Sequence, residues 1–237
     1  MPQTVEQFAE SRKRMVREQI AARGVRDPRV LAAMRGVPRE LFLRAGQEEV
    51  AYRDGPLPIE SDQTISQPYI VAFMIESLRL EGSEKVLEVG TGSGYAAAVL
   101  GELAGEVYSV ERHANLAEEA GRRLARLGYD NVHVKHGDGT RGWPEFAPYD
   151  AIVVAACGPA VPASLRGQLR IGGRLVIPVG PAAGSQQLLR VTRLAEREFT
   201  EEPLLEVVFV PLVGEEGFEE GTRREGRGAR GLDGRER

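Results

Sequence analysis

Apolar residues recur along this chain at two spacings, and the change from one to the other marks out its elements. From Val5 to Arg23, Phe8, Met15, Val16 and Ile20 fall toward one side of a helix that Gly24 stops. Asp27-Pro28 supplies an N-cap and a first-turn proline for a short helix carrying Val30, Leu31 and Met34. Pro38 to Ile65 follows neither period, and Pro56 and Pro58 enforce extended backbone there. Leu57, Ile59 and Ile65 make that segment too apolar for a linker, and ordered loops of such length are usually functional. A helix after Ser66 runs through Ile70, Phe73, Met74 and Leu78 and stops before Gly82. Strands and helices then alternate. Val86 to Val89 precedes a small-residue helix from Tyr95 to Leu103. Val107 to Val110 precedes Leu116, Ala120, Leu124 and Leu127 at helical spacing, with Gly128 as the stop. Val132 to Val134, Ala151 to Val154, a short helix near Leu165 to Leu169, and Arg174 to Ile177 complete the series. This alternation predicts an α/β fold with a doubly wound, mostly parallel sheet. Gln187 to Leu194 and Leu204 to Leu212 leave no room for a crossover helix and predict an antiparallel C-terminal strand pair.

The segment Glu88-Val89-Gly90-Thr91-Gly92-Ser93-Gly94 joins a strand to a helix. That order builds a nucleotide-type crevice at the carboxyl end of a parallel strand. Glycine lets the backbone turn sharply there and approach a ligand closely. A dinucleotide fingerprint, Gly-x-Gly-x-x-Gly, would need glycine at position 95, where this chain has Tyr95. The pattern present, acid-x-Gly-x-Gly-x-Gly, resembles the first motif of S-adenosylmethionine-dependent methyltransferases, whose ligand has no pyrophosphate. A tight strand-to-helix connection would also account for the glycines alone. Glu111 adds to the functional reading. It ends the next strand about 20 residues beyond Gly90, where a carboxylate accepting from both ribose hydroxyls is expected.

At 237 residues the chain suits one α/β domain with small extensions. A net charge of −4 gives no support to a nucleic-acid surface, so no nucleic-acid partner is expected. The one cysteine, Cys157, rules out an internal disulfide and fits a reducing compartment; it reads as a small apolar residue at a strand end. The charged N-terminus lacks a signal-peptide core and no run is long enough to span a bilayer, so a cytoplasmic protein is expected, with no membrane partner and no metal. From Gly214 to Arg237, glycine and charge replace apolar residues except Phe218 and Leu232, which predicts a disordered tail.

The region before the glycine turn makes a resemblance specific. Asp54-Gly55-Pro56-Leu57-Pro58-Ile59 followed by Gln63-Thr64-Ile65-Ser66-Gln67-Pro68-Tyr69-Ile70-Val71-Ala72 resembles the hallmark segment of protein-L-isoaspartate O-methyltransferases. Val37-Pro38-Arg39-Glu40, Gly137-Asp138-Gly139, Ala147-Pro148-Tyr149-Asp150, Gly172-Gly173-Arg174 and Phe209-Val210-Pro211-Leu212 are similar to further motifs of that family. The resemblance covers about residues 12–213. It implies a Rossmann-like methyltransferase sheet with an N-terminal helical extension. Residues 1–65 would be helices and a substrate and cofactor loop packed on the main domain, 66–213 the methyltransferase domain, and 214–237 the tail. One departure stands out: Glu60-Ser61-Asp62 replaces glycines common in the family at that point, which would stiffen the loop or repel an anionic substrate.

The family's reaction moves the methyl of S-adenosylmethionine to the α-carboxyl of an L-isoaspartyl residue in a damaged protein or peptide. Such a carboxylate is already ionised at neutral pH, so no general base is needed. His113, His133 and His136 read as solvated or structural. By resemblance Ser66 is the active-site serine, orienting the attacking carboxylate; on sequence grounds it also suits the N-cap of the following helix, and both roles are compatible. Glu88, Gly90, Thr91, Gly92, Ser93 and Gly94 are expected around the methionine and ribose of the cofactor, with Glu111 on the ribose hydroxyls. Asp138, beside Gly139, is expected at the adenine, although an Asp-Gly turn explains it equally. Gln63, Thr64 and Ile65 would close over the cofactor, and Val210, Pro211 and Leu212 would line the peptide groove. A monomer is expected. A methyltransferase of the same fold acting on RNA or a small molecule, and a catalytically silent interaction scaffold, are the alternatives.

Overall fold

The computed structural model describes residues 4–222. Helix α1 (Val5–Met15) begins with a capping box in which the Thr4 hydroxyl accepts from Gln7 N. It continues through a π-turn at Val16–Ile20 and a 3-10 turn at Ala21–Arg23 to Gly24, whose φ of 102° ends it. Helix α2 (Pro28–Gly36) has Asp27 as N-cap, its side chain accepting from Arg29 N at 2.8 Å. The segment without periodicity contains a short hairpin, β1 (Leu57–Pro58) paired with β2 (Thr64–Ile65). Its turn holds Ser61 and Asp62 at φ 57° and 55°, in the left-handed region where glycine would sit without strain.

Helix α3 (Pro68–Leu78) leads into β3 (Lys85–Val89), and α4 (Tyr95–Gly101), β4 (Glu106–Glu111), α5 (Ala114–Arg126) and β5 (Val132–His136) follow. Helix α3 ends at Leu78, before Gly82 as expected, with Arg79 taking φ 54° as its C-cap. Then come β6 (Tyr149–Val154), α6 (Ala163–Gln168), β7 (Leu169–Val179), β8 (Gln186–Arg193) and β9 (Phe199–Val207). Seven strands form one sheet in the order β5-β4-β3-β6-β7-β8-β9. The pairs from β5 to β7 are parallel, and β8 and β9 add antiparallel. Strand order reverses between β3 and β6, which opens a crevice at their carboxyl ends. Side chains in the central strands alternate between two buried clusters. Val86, Ala151, Val153 and Val176 meet α1 to α5, and Leu87, Ile152, Val154, Leu175 and Ile177 meet α6 and the turns before β6. Met15, Ile20, Met34 and Phe42 belong to the first cluster, so the N-terminal segment shares the core of the sheet.

Two expectations are corrected. The last strand spans Phe199–Val207 rather than Leu204 to Leu212. Pro203, which would break a central strand, is tolerated because β9 is an edge and a register shift falls beside its partner Leu189. Residues 208–212 instead leave the sheet and cross the end of β6. Cys157 N donates to Val210 O, and Leu212 N donates to Cys157 O. The segment 214–222, expected to be disordered, is folded. Glu215 N donates to Asp138 Oδ2 at 2.8 Å and Glu216 N to Thr140 Oγ1 at 3.1 Å, while the Glu216 carboxylate accepts from Ser164 N at the start of α6. Polar bonds to distant partners order it in place of a local apolar pattern. Residues 223–237, the rest of that expected tail, lie outside the described residues.

Candidate active site

The glycine turn follows β3 and uses glycine where only glycine fits without strain. Gly90, Gly92 and Gly94 have φ of 95°, 53° and 89°. The turn is held from β4: Gly92 N donates to Glu111 Oε2 at 2.9 Å, and His113 N donates to Glu111 Oε1 at 2.9 Å. Glu111 is buried yet borders the cleft, so its carboxylate organises the loop and keeps lone pairs for a ligand.

The cleft above this turn encloses about 790 Å³, part of it open to solvent. Its lining includes a wall of Gln63, Thr64, Ile65 and Ser66, the turn Gly90 to Ser93, Glu111 and Gly139, and a lip at Val210 to Val213. These expected residues are brought together. Val71, Val89, Tyr95, Val110, Arg112 and Ala155 also line it, and the sequence reading did not select them. Their signal is position, since several follow the carboxyl ends of β3, β4 and β6.

Three expected cofactor residues do not line the cleft. Glu88 points away from Val89, as alternation along a strand requires, and is buried at 1% exposure. It bonds the Ser109 hydroxyl, which in turn lies 2.5 Å from Thr91 Oγ1. Burial, with Glu111 adding repulsion, pushes the Glu88 carboxyl up to about 8. Gly94 serves the turn, packed against Ala120 and Leu124 of α5. Asp138 caps the turn at Gly139–Arg141, accepting from Thr140 N and Thr140 Oγ1 as well as from Glu215 N. It works as the Asp-Gly turn and anchors the 214–216 segment, and only Gly139 of the pair reaches the cleft.

Ser66 lies where the cleft meets a second, more open groove that also contains Arg23, Gln67, Tyr69 and Phe209. The capping role for Ser66 is overturned. Gln67 is the N-cap of α3 and makes no side-chain cap bond, while Pro68 occupies the first turn. Gln67 Nε2 instead donates to Asp54 Oδ1 at 2.6 Å. None of the three histidines lines the cleft, and burial pushes the Cys157 thiol up to about 11, which leaves it inert.

The residues suit an S-adenosyl group: apolar walls from Ile65, Val89, Val110 and Leu212, one carboxylate at the cleft able to accept from hydroxyls, and a glycine turn without the spacing for a pyrophosphate. Sheet order, turn and cleft together define a Rossmann-like methyltransferase. The family model described as protein-L-isoaspartate(D-aspartate) O-methyltransferase matches residues 10–217. The chain belongs to that family. It is 63% identical over 206 residues to a protein-L-isoaspartate O-methyltransferase of Rhodopseudomonas palustris, covering 87% of this chain and 94% of the relative. A second enzyme of that name, from Pelobacter propionicus, is 60% identical over 207 residues, covering 87% and 92%. A solved protein-L-isoaspartate O-methyltransferase superposes with a TM-score of 0.79 at 31% identity, covering 87% of this chain and 67% of that one. A Plasmodium falciparum protein described as a β-aspartate methyltransferase of this family, in complex with S-adenosyl-L-homocysteine, gives 0.74 at 25% identity over 85% and 98%.

Proposed function

We propose that this chain transfers the methyl of S-adenosyl-L-methionine to the α-carboxyl of L-isoaspartyl residues in damaged proteins and peptides, acting as a cytoplasmic monomer. One observation carries the reading. The wall with Ser66, the turn held by Glu111 and the lip at Val210 to Val213 line one cleft, and a neighbouring groove shares Thr64, Ser66, Ala155 and Val210 with it.

When bound, S-adenosylmethionine supplies an activated methyl on a sulfonium. Glu111 would hold the ribose hydroxyls, and Gly90 to Ser93 would carry the methionine side. Ser66 would donate its hydroxyl to one carboxylate oxygen and leave the other aimed at the methyl carbon. The substrate carboxylate needs no deprotonation, so the chain's work is orientation and exclusion of water by the 63–66 wall and the 210–213 lip. The test is a methyl-transfer assay that compares an L-isoaspartyl peptide with its ordinary aspartyl counterpart. Transfer to the first alone is expected; equal transfer, or none to either, would overturn the reading. Ser66→Ala should lower turnover while stability stays within about 0.5 kcal/mol, because no helix cap is lost.

A further inference from the structure

Arg39 is the largest fully buried side chain in the fold, at 0% exposure. It opens the 3-10 turn after Pro38, and its hydrogen bonds go to neutral carbonyls. Nε donates to Ala51 O at 2.9 Å and Nη2 donates to Ser66 O at 2.9 Å. The guanidinium lies 4.8 Å from the centroid of the Tyr95 ring, and Nη1 has no hydrogen-bond partner among the described residues. The neighbouring carboxylate, Glu40, is engaged elsewhere, by Tyr52 and Arg12. Burial is the chief influence on the Arg39 charge, pulling the guanidinium below its usual range, and no carboxylate is among the groups that act on it.

Tying Ala51 to Ser66 requires donors, not a charge. Burying a cation without an anion costs several kcal/mol, so the charge asks for a reason beyond the tie. The position supplies one. Ser66 and Tyr95, the two residues the guanidinium touches on that side, both line the cleft. The uncompensated charge therefore stands directly behind the wall on which a substrate carboxylate would sit.

We propose that Arg39 is a positioning residue whose buried charge makes the Ser66 wall electropositive and selects a carboxylate substrate over a neutral one. The inference rests on the isoaspartyl reading given above. A carboxylate bonded to the Ser66 hydroxyl lies within roughly 10 Å of a guanidinium bonded to the carbonyl of the same residue. At an effective dielectric of about 20, a unit charge at that range is worth about tenfold in affinity. The effect belongs in binding rather than in the chemical step. Methyl transfer turns the anion into a neutral ester, so a fixed positive charge holds the substrate, does nothing to hasten its neutralisation, and lets the product go.

The experiment compares Arg39→Gln, which keeps a donor without charge, with Arg39→Lys, which keeps the charge. Steady-state KM and kcat for an isoaspartyl peptide are measured beside S-adenosylhomocysteine affinity by calorimetry. Arg39→Gln should raise peptide KM about tenfold with kcat and S-adenosylhomocysteine affinity within about twofold, and Arg39→Lys should restore most of the loss. Unchanged KM in both variants, or equal loss of kcat and cofactor affinity in both, would make Arg39 a structural tie and sink the proposal. A second arm needs no Arg39 variant. The isoaspartyl peptide and its isosteric amide analogue are compared as ligands of the unmodified chain and of Ser66→Ala. A carboxylate preference of about tenfold that survives loss of the hydroxyl supports the buried charge; equal binding of the two peptides overturns it. A chain that methylates the isoaspartyl peptide and fails both arms refutes Arg39 alone. A chain that does not methylate it refutes the functional reading, and this inference with it.

Discussion

Glu88 offers a stability test with a defined sign. Its carboxyl is buried beneath the glycine turn, bonded to Ser109, with Oε1 unpartnered among the described residues. Burial first, and Glu111 second, raise it from 4.5 to about 8. Between those values the folded chain keeps a proton that the unfolded chain has released, so stability is fully present below about pH 4.5 and is lost as pH rises toward 8. At about 1.4 kcal/mol per pH unit, the loss across this window is at most about 5 kcal/mol. Glu88→Gln removes the ionisation and keeps an acceptor for Ser109. Its amide NH2 would take the unpartnered side at a pH-independent cost of about 1–3 kcal/mol, so the slope rather than the offset is the readout. Urea unfolding of ligand-free protein at pH 5, 6, 7 and 8 measures it. The Gln variant should gain on the parent chain at each step toward pH 8. Curves that stay parallel across the series would show that Glu88 ionises normally in the fold and that the burial argument is wrong.

Other expectations concern the surrounding elements. Glu111→Gln keeps one of the two backbone bonds without its charge assistance and sets its amide NH2 against the other N–H, so it should cost about 2 kcal/mol and also weaken S-adenosylhomocysteine binding; calorimetry and urea unfolding of one preparation would detect either effect alone. Asp62→Gly relieves left-handed backbone in the hairpin turn and should stabilise by about 0.5 kcal/mol; a lower melting temperature would contradict it. Ending the chain after Val213, compared with ending it after Thr222, removes the bonds to Asp138, Thr140 and Ser164 and should cost about 3 kcal/mol together with cofactor affinity, measured by thermal unfolding with and without S-adenosylhomocysteine.

The fold was legible wherever a local pattern had a local cause. Gly90, Gly92 and Gly94 all have positive φ, so their spacing reported the turn directly. The apolar runs Ala151 to Val154 in β6 and Leu175 to Ile177 in β7 reported strands covered on both faces. Where the cause is distant, the sequence was silent. Pro203 looks the same whether its strand is central or an edge, and only the sheet order decides. The 214–222 segment looks like a solvated tail because its glycines and glutamates show no period. In the fold those glycines allow close approach to Asp138 and to Leu212, and Glu216 reaches α6.

The site divides along the same line. Glu111 is legible as an acid at the crevice because it ends a strand there, and it borders the cleft as that position demands. Glu88 was misplaced for a reason internal to strands: one residue of register separates a side chain that lines the cleft, Val89, from one that supports its floor. Asp138 is ambiguous in the sequence because a carboxylate that caps a turn and one that faces a ligand leave the same Gly-Asp-Gly; in the fold it caps the turn and lines a groove that shares Arg112 and Val213 with the cleft. Ser66 was ambiguous until the helix start was fixed. With α3 beginning at Pro68 and Gln67 as its uncapped N-cap, the hydroxyl has no helix to serve. Its place on the cleft wall, with the buried Arg39 bonded to its carbonyl, remains to explain why serine stands there.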